Sequence, residues 1–495
     1  MIVIGSGFGG LAIANRLQAV GMDVTIIEKR EKVGGRAYQF EEAGYTFDMG
    51  PSLITAPSII EGIFEAAGRS VRDYTELIPL DPFYRIYFHD GSHIDYGGDA
   101  DEMKEQMRRF SPADASAYDA FMEAIRPIYE TVITEKRGAR PFDTVGSMLS
   151  FAPRVVRLKA FLPVHMFVRR YFQDFRHRFL FSFHPLFIGG NPFRAPAIYA
   201  MIPYLEREEG VWFARGGMYS LVDALARLFV EQGGTIRTGT EVQEITVEHN
   251  RVSGVVAGGR HRKADLVVSN ADVAHTYTSL LPSYSRRRWT DSRLEGMDYT
   301  MSCFLLYLGV HRQYPALLHH TIILAKRYRA LVKDIFANKI LPDEFSMYLH
   351  APTRTDPSMA PPGGESLYVL IPVPNLQAEI DWSQEAEPFA NRVIDFLEQW
   401  GLEDLRGNID VQHMFTPKDF QSKYNAFRGN AFGLEPRLLQ TAYFRPHNRS
   451  EDVDGLYFVG AGTHPGGGVP GVMLSAETTE HCIRQDLAKA HQSTK

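Results

Sequence analysis

The first 28 residues confine this chain to few folds. "MIVI" is a short apolar run, and Gly5, Gly7 and Gly10 follow it as G-x-G-x-x-G. Leu11, Ala14 and Leu17 recur at helical spacing, Gly21 stops the helix, and "VTIIE" reads as a buried parallel strand. Each glycine has a task in such a turn. Gly5 permits the tight bend, Gly7 lets a pyrophosphate approach the backbone, and Gly10 allows close helix–strand packing. The helix N-terminus then faces the phosphates. Glu28 closes the second strand 18 residues beyond Gly10, where a carboxylate accepts hydrogen bonds from an adenosine ribose. Lys29 and Arg30 would suit a 2′-phosphate, which Glu28 repels; Lys29 is counted here with the cofactor contacts. The abrupt start predicts that a few residues precede Met1.

These residues leave nicotinamide and flavin dinucleotides both open, and the next stretch separates them. After Glu28 the chain enters "EKVGGRAYQFEEAGYTFDMGPS", residues 31–52, instead of a second crossover helix. Gly34 and Gly35 let the backbone pass close to a ligand, Arg36 offers a forked donor to a pyrophosphate, and Gly50-Pro51 marks a further turn. This pattern resembles the FAD superfamily of amine oxidases, carotenoid desaturases and Rab escort/GDP-dissociation-inhibitor proteins.

A second glycine-rich loop, "GAGTHPGGGVPG", occupies residues 460–471 and contains its own G-x-G-x-x-G at Gly466, Gly468 and Gly471. Thr463, His464 and Pro465 separate that motif from the strand "LYFVG", and no acidic second strand follows. It therefore reads as a glycine-dense loop that brings Gly460, Gly462, Gly468 and Gly471 against the same dinucleotide. Val472 and Met473 open a final helix whose N-terminal dipole points at the ligand's ring. One FAD is held from both ends of the chain. The fold class expected is α/β: a discontinuous Rossmann-like FAD-binding domain (1–74, 211–274 and 441–495) with two inserts. Residues 75–210 form a largely helical, membrane-facing subdomain, and 275–440 an α+β substrate domain.

A net charge of −6 gives no global attraction to nucleic acid, and none is expected as a partner. Cys303 and Cys482 are the only cysteines and lack zinc spacing, which fits a reducing, cytoplasmic setting. Among 17 histidines there is no H-E-x-x-H, so no metal is expected, and His319-His320 reads as a surface pair. No apolar run is long enough to span a bilayer. Residues 151–179, however, carry seven Arg or Lys against one acidic residue, Asp174, interleaved with bulky apolar groups. That composition suits an anionic bilayer surface, and equally a half-buried helix with a solvated basic face; Pro163 interrupts any single helix there.

Over nearly the whole chain, "FDMGPSLIT", "FSFHPLFIGGNPF", "LEREEGVWFARGGM", "SNADVAHTY", "YFRPHNR" and "FVGAGTHPGGGVPGV" resemble the bacterial-type phytoene desaturases. The resemblance implies FAD-dependent desaturation of phytoene to neurosporene, lycopene or a related carotene. It also implies peripheral association with the inner face of the cytoplasmic membrane and reoxidation by a quinone or oxygen. It places Val242 near the adenine and Asn270 near the isoalloxazine. Candidates for acid–base work are His464, Glu206 and Arg207; Ser147 and Ser150 stand where some relatives carry charged side chains. Other readings are a diapophytoene or methoxyneurosporene desaturase, a carotene isomerase, a soluble amine oxidase, or a non-redox isoprenoid escort protein.

Overall fold

Short apolar runs rich in β-branched residues build the central sheet of the computed structural model, which describes residues 1–282 and 284–493. The strands are β1 (Ile2–Ile4), β2 (Thr25–Ile27), β3 (Thr235–Arg237), β4 (Val267–Ser269) and β5 (Leu456–Phe458). They lie in the order β5-β4-β1-β2-β3, all parallel, so three distant segments of the chain meet in one sheet. Helices α1 (Phe8–Ala19), α2 (Met218–Glu231) and α3 (Val469–Ser493) pack around it. Leu11, Leu17, Leu221, Leu225, Met473 and Ile483 share the resulting core.

The start of α2 shows how the segments are joined. Its own N-cap is Gly217, which supplies no side chain. Asp48, 170 residues earlier, accepts hydrogen bonds from Met218 N at 2.6 Å and Tyr219 N at 3.3 Å and caps the helix from a distance. Gly217 has φ +95°, and a Cβ there would lie 2.4 Å from Asp48 Oδ2, so glycine is required on both counts. Burial outweighs the helix N–H bonds and pushes the Asp48 carboxyl up to about 6.

The inserts share a seven-stranded mixed sheet in the order Ile409–Phe415, Ser302–Val310, Glu365–Val373, Met347–His350, His320–Ile323, Tyr84–Tyr87, His93–Tyr96. The hairpin at 84–96, grouped by sequence with the helical insert, thus extends the sheet of the other insert, because Tyr84–Tyr87 pairs in parallel with His320–Ile323. Strands Val242–Glu248, Arg251–Ala257 and Arg260–Lys263 form a separate antiparallel sheet. In the basic region, a helix spans Val145–Arg157 with no buried residue, and Pro163 caps the next helix at Val164. Ser147 completes a capping box with Thr144. Among the described residues, no helix is long and apolar enough to cross a membrane.

Candidate active site

Both glycine loops close on one side chain, Asn270, just beyond β4. A Cβ at Gly9 would lie 2.6 Å from Asn270 Oδ1, and one at Gly460 would lie 2.8 Å from the same atom. Gly7 and Gly35 also face each other, with a Cβ at Gly35 only 3.0 Å from the Gly7 Cα. The cradle is therefore walled by main chain from residues 5–10, 34–36 and 460–471. Helix α1 begins at a glycine N-cap without a side-chain cap or an acidic first turn, which leaves its first N–H groups free for a ligand. Helix α3 begins at Val469 with Pro470 in its first turn, and Gly468, Val469, Gly471 and Val472 line the cavity.

Glu28 is buried and fixes the first loop. Its Oε2 accepts from Ser6 N (2.9 Å) and Ser6 Oγ (2.7 Å), and its Oε1 accepts from Arg30 N (2.9 Å). Lys29 Nζ donates to Asn425 Oδ1 at 2.8 Å and to Ser422 O at 3.2 Å, tying the cradle to the inserted domain. Arg36 contrasts with both. No described carboxylate forms an ion pair with it, its Nε has no hydrogen-bond partner, and desolvation lowers its pKa. A guanidinium without an ion-pair partner among the described residues, beside two glycine turns, can receive an anion.

The late loop has a support that the sequence reading missed. Arg445, 1% exposed, donates to Ala461 O at 2.6 Å and Leu434 O at 3.2 Å, with no acidic partner among the described residues. Ser475 Oγ, on α3, accepts from Gly460 N at 2.8 Å. A buried arginine in "YFRPHNR" is visible in sequence only as a charge amid aromatic residues; its carbonyl targets come from the fold.

The cradle opens directly into a second chamber, and the two form one cavity of about 550 Å³. Its far walls come from the inserts. Phe179, Phe183 and Phe187 pack ring to ring, and Tyr307 stacks on Tyr368 at 5.3 Å. Met301, Cys303, Leu305 and Leu370 fill the spaces between. Among the described residues, the hydroxyls of Tyr307, Tyr328 and Tyr368, which line this chamber, have no hydrogen-bond partner.

Residues 8–479 match the family model described as flavin containing amine oxidoreductase. The chain belongs to that family. It is 44% identical to a lycopene-forming phytoene desaturase of Pseudescherichia vulneris, over 98% of this chain and 99% of the relative. It is 41% identical to a neurosporene-forming phytoene desaturase of Cereibacter sphaeroides, over 96% of this chain and 93% of the relative. An oxidoreductase structure from Methanosarcina mazei shares the fold, with a TM-score of 0.66 at 17% identity and coverage of 97% and 99%. The family is one of FAD-dependent oxidoreductases, and the cradle fits that cofactor: uncapped helix N–H groups and the unpartnered Arg36 answer a pyrophosphate, and Glu28 a ribose.

Within this flavoprotein, Gly5, Gly7, Glu28, Lys29, Gly34, Gly35, Arg36, Gly50, Pro51, Val242, Asn270, Gly460, Gly468, Gly471 and Val472 all line the cavity, as do His464 and Glu206. Four of the expected residues do not. Gly10 packs under the first turn, where a Cβ would lie 2.0 Å from Gly5 O, and Gly462 packs on Val273. Met473 is buried in the α1–α3 core. Arg207 turns away: it stacks on Tyr204 and pairs with Glu208 at 3.3 Å, because successive helix residues point about 100° apart.

His464 and Glu206 differ in their surroundings. Phe142 lies edge-on to His464 at 5.0 Å, and burial next to Arg445 lowers the imidazole to about 3, against a weaker opposing interaction with the Gly138 backbone. It is neutral at ordinary pH. Glu206 is fully buried; its Oε2 accepts from Tyr84 OH at 2.7 Å and meets His184 Nε2 at 3.2 Å, and the Tyr96 phenol also interacts with the side chain. The expectation that His319-His320 lies at the surface is wrong: His319 is 7% and His320 0% exposed. His320 opens the inserted-sheet strand His320–Ile323, and His319 immediately precedes it.

Proposed function

We propose that this flavoprotein desaturates phytoene to more conjugated carotenes such as neurosporene or lycopene. The observation that carries the reading is the single cavity joining an FAD cradle to an aromatic chamber. Phytoene is a hydrocarbon without hydrogen-bonding groups, so its recognition rests on buried apolar area and shape. Bound FAD supplies a two-electron acceptor for hydride. The protein's part is to align the polyene, exclude water and take the proton lost from the neighbouring carbon. Glu206 is the proposed acceptor of that proton: it lines the cavity, and the Tyr84 and His184 bonds hold its side chain in place. The companion residue His464 stays neutral and serves as a cavity wall.

Membrane access and the electron acceptor are finer parts of the same proposal. Leu149 and Val156 (each 62% exposed) project from the helix Val145–Arg157, and Met166 (55%) from the basic region that follows. Phe151, on the same helix as Leu149, lines the cavity, and residues 442–444 pack against that helix. A carotene dissolved in a leaflet would therefore meet an apolar, cationic surface next to the cavity. A quinone or oxygen is the proposed terminal electron acceptor.

Incubation of the FAD-loaded protein with phytoene liposomes tests the reading: new long-wavelength polyene absorption is expected, and its absence sinks the proposal. Leu149→Glu with Val156→Glu should abolish liposome co-sedimentation; unchanged sedimentation would remove the membrane part alone. A non-redox escort role predicts a protein that binds isoprenoids without FAD, against the fit of the cradle.

A further inference from the structure

Three imidazoles meet behind the cavity wall. His320 and His350 are directly opposed in antiparallel register, so their side chains rise from one face of the sheet. His319, one residue before the strand begins, turns its ring to the same side. The ring centroids are 4.4 Å (His319–His320), 4.9 Å (His319–His350) and 5.2 Å (His320–His350) apart. All three residues are buried, and one nitrogen from each lies within 4.8 Å of the other two. Among the described residues, no other group of His, Cys, Asp or Glu has this spacing.

The nitrogens are arranged in two layers. On the inside, His319 Nε2 and His350 Nε2 approach to 3.1 Å, and His320 Nε2 has no partner. Two bare lone pairs at that separation repel, so a proton or a cation must lie between them. On the outside, His319 Nδ1 meets Thr355 Oγ1 at 2.6 Å, and His320 Nδ1 meets Tyr348 OH at 2.7 Å. Tyr348 OH in turn lies 2.5 Å from Ser52 Oγ, which can accept its proton. Both oxygens can therefore accept an Nδ1–H and turn the Nε2 lone pairs inward. Outer-layer oxygens fix metal-ligating histidines in this way. Burial, which lowers the pKa of all three, keeps them in the neutral form that ligates.

We propose that His319, His320 and His350 bind one first-row divalent transition-metal ion. Three imidazoles without a thiolate favour zinc-like ions over magnesium or calcium, and they leave a coordination position for water or hydroxide. Phe213, whose ring lies 4.6 Å from His319, supplies part of the apolar surround. The site adjoins the cavity through Tyr348 and Ser52 but needs no carotene, so it stands or falls apart from the desaturation reading.

The test uses the full FAD-loaded chain, stripped with a chelator and titrated with Zn²⁺ against a chromogenic competitor. One zinc per chain is expected. Thr355→Val should weaken binding about 10- to 100-fold by removing the outer partner of His319. His350→Ala should remove tight binding, whereas His311→Ala, at the exposed His311–Asp410 pair, should leave it unchanged. X-ray absorption of zinc-loaded wild type needs no variant: imidazole scattering from nitrogens at about 2.0–2.1 Å is expected. Failure of the wild type to retain zinc, or an oxygen-dominated shell, would overturn the proposal and leave a packed trio of neutral histidines.

Discussion

Replacing Arg36 with methionine separates a cofactor contact from a structural one. The guanidinium borders the cradle, has an unpartnered Nε and forms no ion pair with a described carboxylate. A hydrogen bond to a charged group contributes roughly 1.5–3 kcal/mol. Loss of one such bond to a pyrophosphate should raise the FAD dissociation constant about 10- to 100-fold. The apoprotein should respond differently. Burial lowers the Arg36 pKa against a weaker attraction from Asp272, so a charge only partly compensated is being desolvated in the folded state. Methionine keeps much of the side-chain length and removes that cost, so apoprotein Tm should stay constant or rise. Equilibrium release of FAD, read by recovery of free-flavin fluorescence, gives the affinity, and thermal unfolding of the flavin-free protein gives the stability. An affinity change below about threefold, or a large drop in apoprotein Tm, would refute the reasoning. Arg36→Lys should recover only part of the affinity, since an ammonium lacks the planar fork.

Gly468→Val should abolish FAD binding with residues 5–10 intact, because φ is +85° and a Cβ would lie 2.9 Å from Ile188 Cγ2; Gly471→Val should do the same against Gly466 O at 2.9 Å. Retained yellow colour after purification would contradict this. Glu206→Gln preserves side-chain volume and should slow flavin reduction by phytoene about 10²- to 10⁴-fold with little change in FAD affinity; an unchanged rate removes Glu206 as proton acceptor. His464 should show no imidazole protonation by ¹⁵N NMR above pH 5. Its folded pKa of about 3 lies below the unfolded value near 6.5, so stability falls as pH drops through that window, by roughly 1.4 kcal/mol per unit. His464→Gln should flatten that slope, and an unaltered slope would assign the acid sensitivity elsewhere.

The cradle was legible because its signals are local. Gly5, Gly7 and Glu28 lie within one strand–helix–strand unit, and periodicity alone sets their places. The late loop was legible from glycine density, although Asn270 as the shared stop for Gly9 and Gly460 was not, since 270 reaches both loops only through the parallel sheet. Contacts across long sequence separations were hidden: Asp48 on α2, Arg445 on Ala461, and the strands at 84–96 on the distant insert. Arg207 and Met473 were misplaced by adjacency, because a neighbour on a helix points elsewhere. His319-His320 was misread as polar and therefore exposed, whereas cross-strand pairing buries it.

The central claim is that one cavity holds the flavin and the hydrocarbon in electron-transfer contact. Anaerobic mixing of FAD-loaded protein with phytoene liposomes, followed across the visible spectrum, tests it most directly. Loss of oxidised-flavin absorbance is expected in step with a rise in longer-polyene absorbance, one flavin reduced per double bond formed. Polyene formation with the flavin still oxidised, or no polyene at all, would contradict it.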